Sequence, residues 1–151
     1  MYHSRMNNSG EPTETDSADT TIFAVLHAAH ALEAKVEDAL AKVGLSMPKY
    51  SVLTALVASG TPVSLSELAS KLSCVRSNMT QLVDRLEADG LVRRVADPAD
   101  RRSVKAAITE AGLARQDAGA AEVARLHEEF SANLAGGDRA ALIRMLSAVS
   151  E

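Results

Sequence analysis

Between Ser64 and Gly112 the chain sets out two short helices, then two basic strands around a tight charged turn, then the start of another helix. Ser64-Leu65-Ser66-Glu67 is a capping box, with Ser64 placed to accept from the Glu67 N–H and the Glu67 carboxylate to reach back. Leu65, Leu68, Ala69 and Leu72 follow at helical spacing, Ser73-Cys74-Val75 interrupts, and Met79, Leu82, Val83 and Leu86 resume on one face of a second helix. Its other face carries Arg76, Ser77, Asn78, Thr80, Gln81 and Arg85. These donors and acceptors match base edges and phosphates, and a helix of this width fits the major groove.

Gly90 ends the second helix, and the segments 91–96 and 103–108 flank the turn Asp97-Pro98-Ala99-Asp100-Arg101-Arg102. They read as a hairpin. Val104, Ala106 and Ile108 alternate with Ser103, Lys105 and Ala107, so one face is expected to lie on the helices while the loop projects. A projecting loop with Arg101 and Arg102 suits the minor groove, whose negative potential attracts guanidinium groups. The order of elements is that of a winged helix-turn-helix, with double-stranded DNA as the leading partner.

The runs SNMTQLVDRLEADGLVRR, DPADRR and ITEAG resemble the MarR family of bacterial transcriptional regulators, and the similarity extends along nearly the whole chain after the first 20 residues. The resemblance implies a mainly α fold with a small β-hairpin wing, and N- and C-terminal dimerisation helices. It implies a homodimer on a pseudo-palindromic operator, with repression the expected sign and a small-molecule effector. It also implies that Asp84 pairs with the second wing arginine, Arg102, to brace the wing, in company with Asp100. Members often carry Ser or Thr where this chain has Val75, so Ser73 or Ser77 is expected to cap the recognition helix instead.

On this reading Arg76, Ser77, Asn78 and Gln81 face the major groove with Arg85 on the same side. Thr80, Lys71 and Ser66 lie nearer phosphates, and Arg101 and Arg102 belong to the wing. The charge distribution agrees. The chain as a whole has a net charge of −4, but residues 71–105 hold eight Lys or Arg against five Asp or Glu, a net of +3, which leaves −7 elsewhere. A surplus of three per protomer is modest, so firm binding needs two units on one duplex.

At 151 residues the length fits one domain, and 46% hydrophobic residues with only 3% aromatics favour closely packed helices. No apolar run is long enough to span a membrane and no secretory leader is legible, so a cytoplasmic location is expected. The single cysteine agrees with it. Residues 1–19 lack apolar periodicity and read as a flexible tail, and residues 20–151 as one domain. Within it, 20–47 and 109–151 are dimerisation helices and 48–108 the winged helix-turn-helix.

Ile22, Val25, Ala29, Leu32, Val36, Ala39 and Val43 form a heptad-like stripe on the first helix. Val123, Leu126, Phe130 and Leu134, then Leu142, Leu146 and Val149, do the same on the last two, the final one capped by Asp138. Such stripes exceed what a small reading head can cover and imply a two-fold interface.

Other residues admit sharper roles. Cys74, beside a helix N-terminus, suggests a redox switch, but the resemblance places it at a turn position that usually buries a small apolar residue. His27, His30, Glu33, Glu37 and His127 could approach a metal, yet they form no dense cluster, and no metal or cofactor is expected. The resemblance instead makes His27, His30 and Tyr50 candidates for lining an effector cleft. No phosphate-binding glycine loop or nucleophile elbow is present, so an enzyme is not expected. The alternatives are a winged-helix interaction module without specific DNA binding, or a redox- or metal-responsive regulator.

Overall fold

The computed structural model describes residues 14–150. Six helices and three strands run in the order α1 (Glu14–Ala41), α2 (Met47–Ser59), β1 (Val63–Ser64), α3 (Leu65–Lys71), α4 (Arg76–Ala88), β2 (Val92–Ala96), β3 (Val104–Ile108), α5 (Glu110–Ala132) and α6 (Asp138–Val149). Among them no helix is long and apolar enough to cross a membrane. Thirteen residues of the expected N-terminal tail lie outside the described residues, and α1 begins at Glu14, ahead of the boundary read at residue 20.

The part of the chain up to Lys35 forms one compact unit and Val36 onward another. In the first, α1 exposes Ile22, Phe23, Val25 and Leu26. The second holds the core, in which Leu40, Val52, Leu53, Leu56, Val63, Leu68, Met79, Val83, Leu86, Leu91 and Val92 are fully buried. Each such side chain contributes roughly 1.5–3 kcal/mol by leaving water, so the helix-turn-helix is held mainly by this shared cluster. The heptad-like stripe of α1 is divided accordingly: Ala39 is buried and Val36 and Val43 pack on the core, whereas Ile22 and Val25 stay in solvent.

Local signals set the ends of the elements. Ser46 accepts from the Lys49 N–H at 3.4 Å with Pro48 in the first turn of α2. The Glu37 carboxylate reaches the same helix end and accepts from the Met47 N–H at 3.0 Å. Ser64 caps α3 by accepting from Glu67 at 3.2 Å. The reciprocal half of the box does not form, because the Glu67 carboxylate turns to Lys71, one helical turn on, at 3.1 Å. Asp138 is the first residue of α6 and Gly137 its uncapped N-cap, so the aspartate favours the helix dipole and does not close the turn.

The hairpin is part of a three-stranded antiparallel sheet of order β1-β3-β2, a strand more than the sequence suggested. Val63 pairs with Ala106, and Arg94 pairs with Ala106 from the other side. With β3 in the middle, the simple alternation fails: Ala106 and Ala107 are both buried while Val104 is exposed. A lone methyl such as that of Ala107, opposite Arg93 in the ladder, is shielded by its longer neighbours.

The start of α5 is fastened to this sheet by Thr109. Its hydroxyl donates to Gly90 O at 2.7 Å and accepts from the Gly112 N–H at 3.0 Å, while its own N–H donates to Leu91 O at 3.1 Å. The buried face of α5 is Gly112, Gln116 and Gly119. A Cβ on Gly112 would sit 2.1 Å from Leu91 O, and one on Gly119 would sit 2.9 Å from Tyr50 Cδ2. These glycines bring α5 against Leu91, just ahead of β2, and against α2 in a way the leucine stripe did not suggest.

Candidate nucleic-acid interface

Helix α4 presents two chemically distinct faces. Met79, Val83 and Leu86 anchor it in the core, and this fixes the direction of the opposite face. On that side Arg76, Ser77, Asn78, Thr80, Gln81 and Arg85 are all exposed, as are Ser66 and Lys71 on α3. The Arg76 guanidinium donates to Ser66 Oγ, which ties the leading end of α4 to α3. Thr80 turns its hydroxyl back to Arg76 O at 3.1 Å.

The N-cap of α4 is Val75 itself, in extended conformation (φ −67°, ψ 137°), and no side chain caps the helix. Neither Ser73 nor Ser77 takes over. Ser73 adopts a left-handed backbone (φ 49°) in the α3–α4 turn, and Ser77 lies inside the helix. Capping side chains are worth about 1 kcal/mol, so an uncapped α4 is a real local cost.

The wing is built by its own aspartates. Asp97 Oδ1 accepts from the Ala99 N–H at 2.9 Å and Oδ2 lies 3.4 Å from Lys105 Nζ. The Ala99 hydrogen bond and the Lys105 charge hold the Asp97 carboxyl below the usual carboxylate range. Asp100 Oδ1 accepts from the Arg102 N–H at 3.0 Å, and Ser103 closes the turn by donating to Asp100 O at 3.0 Å. The side chains of Arg101 and Arg102 are exposed.

Asp84 does not meet Arg102. It pairs with Arg94 of β2, Nη2 to Oδ1 at 2.5 Å, and Glu87 completes the site by accepting from Arg94 Nη1 at 3.0 Å and from the Arg94 N–H at 2.8 Å. Burial works against the Arg94 charge, but the two carboxylates outweigh it and hold the guanidinium above its ordinary pKa. The physical reason for the changed partner is position: Arg94 lies in the strand beside α4, whereas Arg102 sits in the loop. Arg94, Glu87 and the Asp97–Lys105 pair were not singled out from the sequence. The alternating carboxylates Asp84 and Glu87, one turn apart on α4, were the available signal. Arg93, exposed on β2, adds a further cation.

Other candidates disperse. His27 and His30 are exposed on the N-terminal part of α1, where His30 Nδ1 lies 3.5 Å from Glu33. Tyr50 is half-buried against Gly119. His127 faces Ser131 at 3.4 Å. Among the described residues no three His, Cys, Asp or Glu side chains gather as a metal site requires. Cys74 is half-buried, with Sγ donating to Val75 O at 3.5 Å. It borders a cavity of about 560 Å³ between the end of α1, the start of α2 and the α3–α4 turn, lined also by Glu37, Met47, Leu72, Asn78 and Leu82.

The MarR family's model matches residues 45–104. The helix-turn-helix regulator YfiV of Bacillus subtilis is 44% identical over 69 residues, 46% of this chain and 42% of YfiV. TtmR of Methylorubrum extorquens is 37% identical over 102 residues, 68% of this chain and 51% of TtmR. The chain thus spans about half the length of the curated relatives it matches. Among solved structures, CouR from Rhodococcus jostii RHA1, bound to p-coumaroyl-CoA, superposes with a TM-score of 0.72 at 28% identity and covers 87% of this chain and 92% of CouR. Sequence likeness across the reading head and structural likeness beyond it coincide, and this chain belongs to the MarR family.

Proposed function

We propose that this protein is a homodimeric, sequence-specific DNA-binding repressor released by a small molecule. The observation that carries the reading is the exposed polar and basic face of α4 beside a wing that displays Arg101 and Arg102. In mechanism, each α4 enters a major groove and each wing reaches the flanking minor groove. The two half-sites lie about one helical turn, roughly 34 Å, apart on a pseudo-palindromic operator. Bound across a promoter, such a dimer excludes polymerase. The apolar residues exposed on α1, and separately Ile143, Met145, Leu146 and Val149 on α6, supply surface for a second copy. Two copies double the modest basic surplus of each head.

The cavity beside the α3–α4 turn suits the effector better than the residues His27, His30 and Tyr50, which do not line it. Asn78 belongs both to the cavity wall and to the groove-facing set. An occupant therefore acts on the leading end of α4, with leverage equal to its differential affinity for the DNA-competent and incompetent states. CouR, solved with p-coumaroyl-CoA bound, supports a small-molecule effector.

Selection of bound sequences from a random duplex pool at about 0.15 M salt tests the reading. An inverted repeat with one-turn spacing is expected. Absence of any enriched sequence would favour a winged-helix protein-interaction module instead.

A further inference from the structure

Val75 breaks two local rules at once. Valine is among the poorest N-cap residues, and here it holds that position with no side-chain hydrogen bond. It is also 67% exposed, the one exposed large apolar side chain of α3, α4 and the turn between them. It stands at the rim of the cavity beside the α3–α4 turn, which it lines together with Leu72 and Asn78, and next to it Ser73, Arg76, Ser77 and Asn78 are exposed. Local violations that the fold does not require are where function is to be sought.

We infer that Val75 is a specificity-determining residue that packs on the 5-methyl group of a thymine in the major groove. The inference rests on the DNA-binding reading above. The N-terminal end of a recognition helix is the part that meets base edges, and Val75 is the first residue of that end. Thymine is the base that presents a methyl group in the major groove, and apolar side chains read it by contact. A valine is suited to this because its β-branched side chain is nearly fixed at χ1 and loses little freedom on binding. A serine or aspartate here would cap the helix and leave the methyl without an apolar partner. The chain forgoes the cap and gains a hydrophobic contact beside the hydrogen-bonding residues Arg76 and Asn78.

The test uses the full chain and its selected operator, with each thymine replaced singly by deoxyuridine, which removes only the 5-methyl group. The wild-type protein is expected to lose affinity about fourfold at one thymine per half-site, the weight of one buried methyl group. Val75→Ala should bind the thymine and uracil duplexes alike. Val75→Ser should lose the same discrimination while its melting temperature rises by about 2–4 °C through the restored cap, which separates a change in reading from a loss of fold. Specific binding with no uracil-sensitive position, or a uracil penalty that persists in Val75→Ala, overturns the inference and leaves the DNA-binding reading standing. Failure to enrich any sequence overturns both.

Discussion

The Arg94 guanidinium joins the recognition helix to the wing: one Nη meets Asp84 at 2.5 Å and the other meets Glu87 at 3.0 Å. Both carboxylates belong to α4 and the arginine to β2. The wing therefore cannot tilt without disturbing the helix, and on the proposed DNA-binding reading helix and hairpin would meet the duplex as one body. Because Arg94 is partly exposed, its removal should cost only about 1 kcal/mol of stability. Its effect on operator affinity should be larger, since a loosened wing must be ordered on binding. Urea unfolding and operator titration of Arg94→Ala give the two numbers, and a stability loss with unchanged affinity would deny the coupling.

Arg101→Ala and Arg102→Ala should each weaken operator binding and lower the dependence of affinity on salt by about one ion. Both side chains are exposed, so stability should stay within about 0.5 kcal/mol of wild type. Titration at several salt concentrations decides the matter, and full affinity at physiological salt removes the wing from the mechanism.

Asn78→Ala should relax sequence preference at one position of each half-site, with a discrimination loss of about 1–3 kcal/mol against the wrong base. Repeating the selection with the variant reads this out directly. A uniform drop for every sequence would make Asn78 a phosphate contact.

Gly112→Ala sets two effects against each other. Alanine in place of glycine gains about 1 kcal/mol of helix propensity. The new Cβ, however, falls 2.1 Å from the backbone oxygen of Leu91, which no side-chain rotation can relieve. Overpacking of this kind costs about 3 kcal/mol, so the net change should be destabilising by about 2 kcal/mol. A higher urea midpoint than wild type would contradict the packing of α5 against Leu91.

The wing should be sensitive to acid through Asp97. Its folded pKa lies below the ordinary value of 3.8. It therefore contributes stability that is complete above the unfolded pKa and is lost as pH falls through the folded value. Hydrogen exchange at the Ala99 N–H should be protected and flat with pH from neutrality down to about 4, after correction for intrinsic rates, and lose protection below. In Asp97→Asn that acid step should be absent. An unchanged step would assign it to another carboxylate.

The order of elements, the buried face of α4 and its exposed polar face were legible in the sequence, because helical periodicity and the punctuation at Ser64, Gly90 and Thr109 are local properties. So were the identities of the exposed cations on α4 and the wing. Three things depended on tertiary structure. The sheet gained β1, a two-residue strand too short to carry a pattern, and this made β3 central and buried Ala107 against expectation. Asp84 chose Arg94 over Arg102, because a pairing across 10 residues depends on where the strand lies beside the helix. The contact face of α5 turned out to be Gly112, Gln116 and Gly119, since close approach of backbones selects small residues that a search for apolar stripes passes over. Periodicity reports which side of an element faces inward; which neighbour it meets there is fixed only when the whole chain packs.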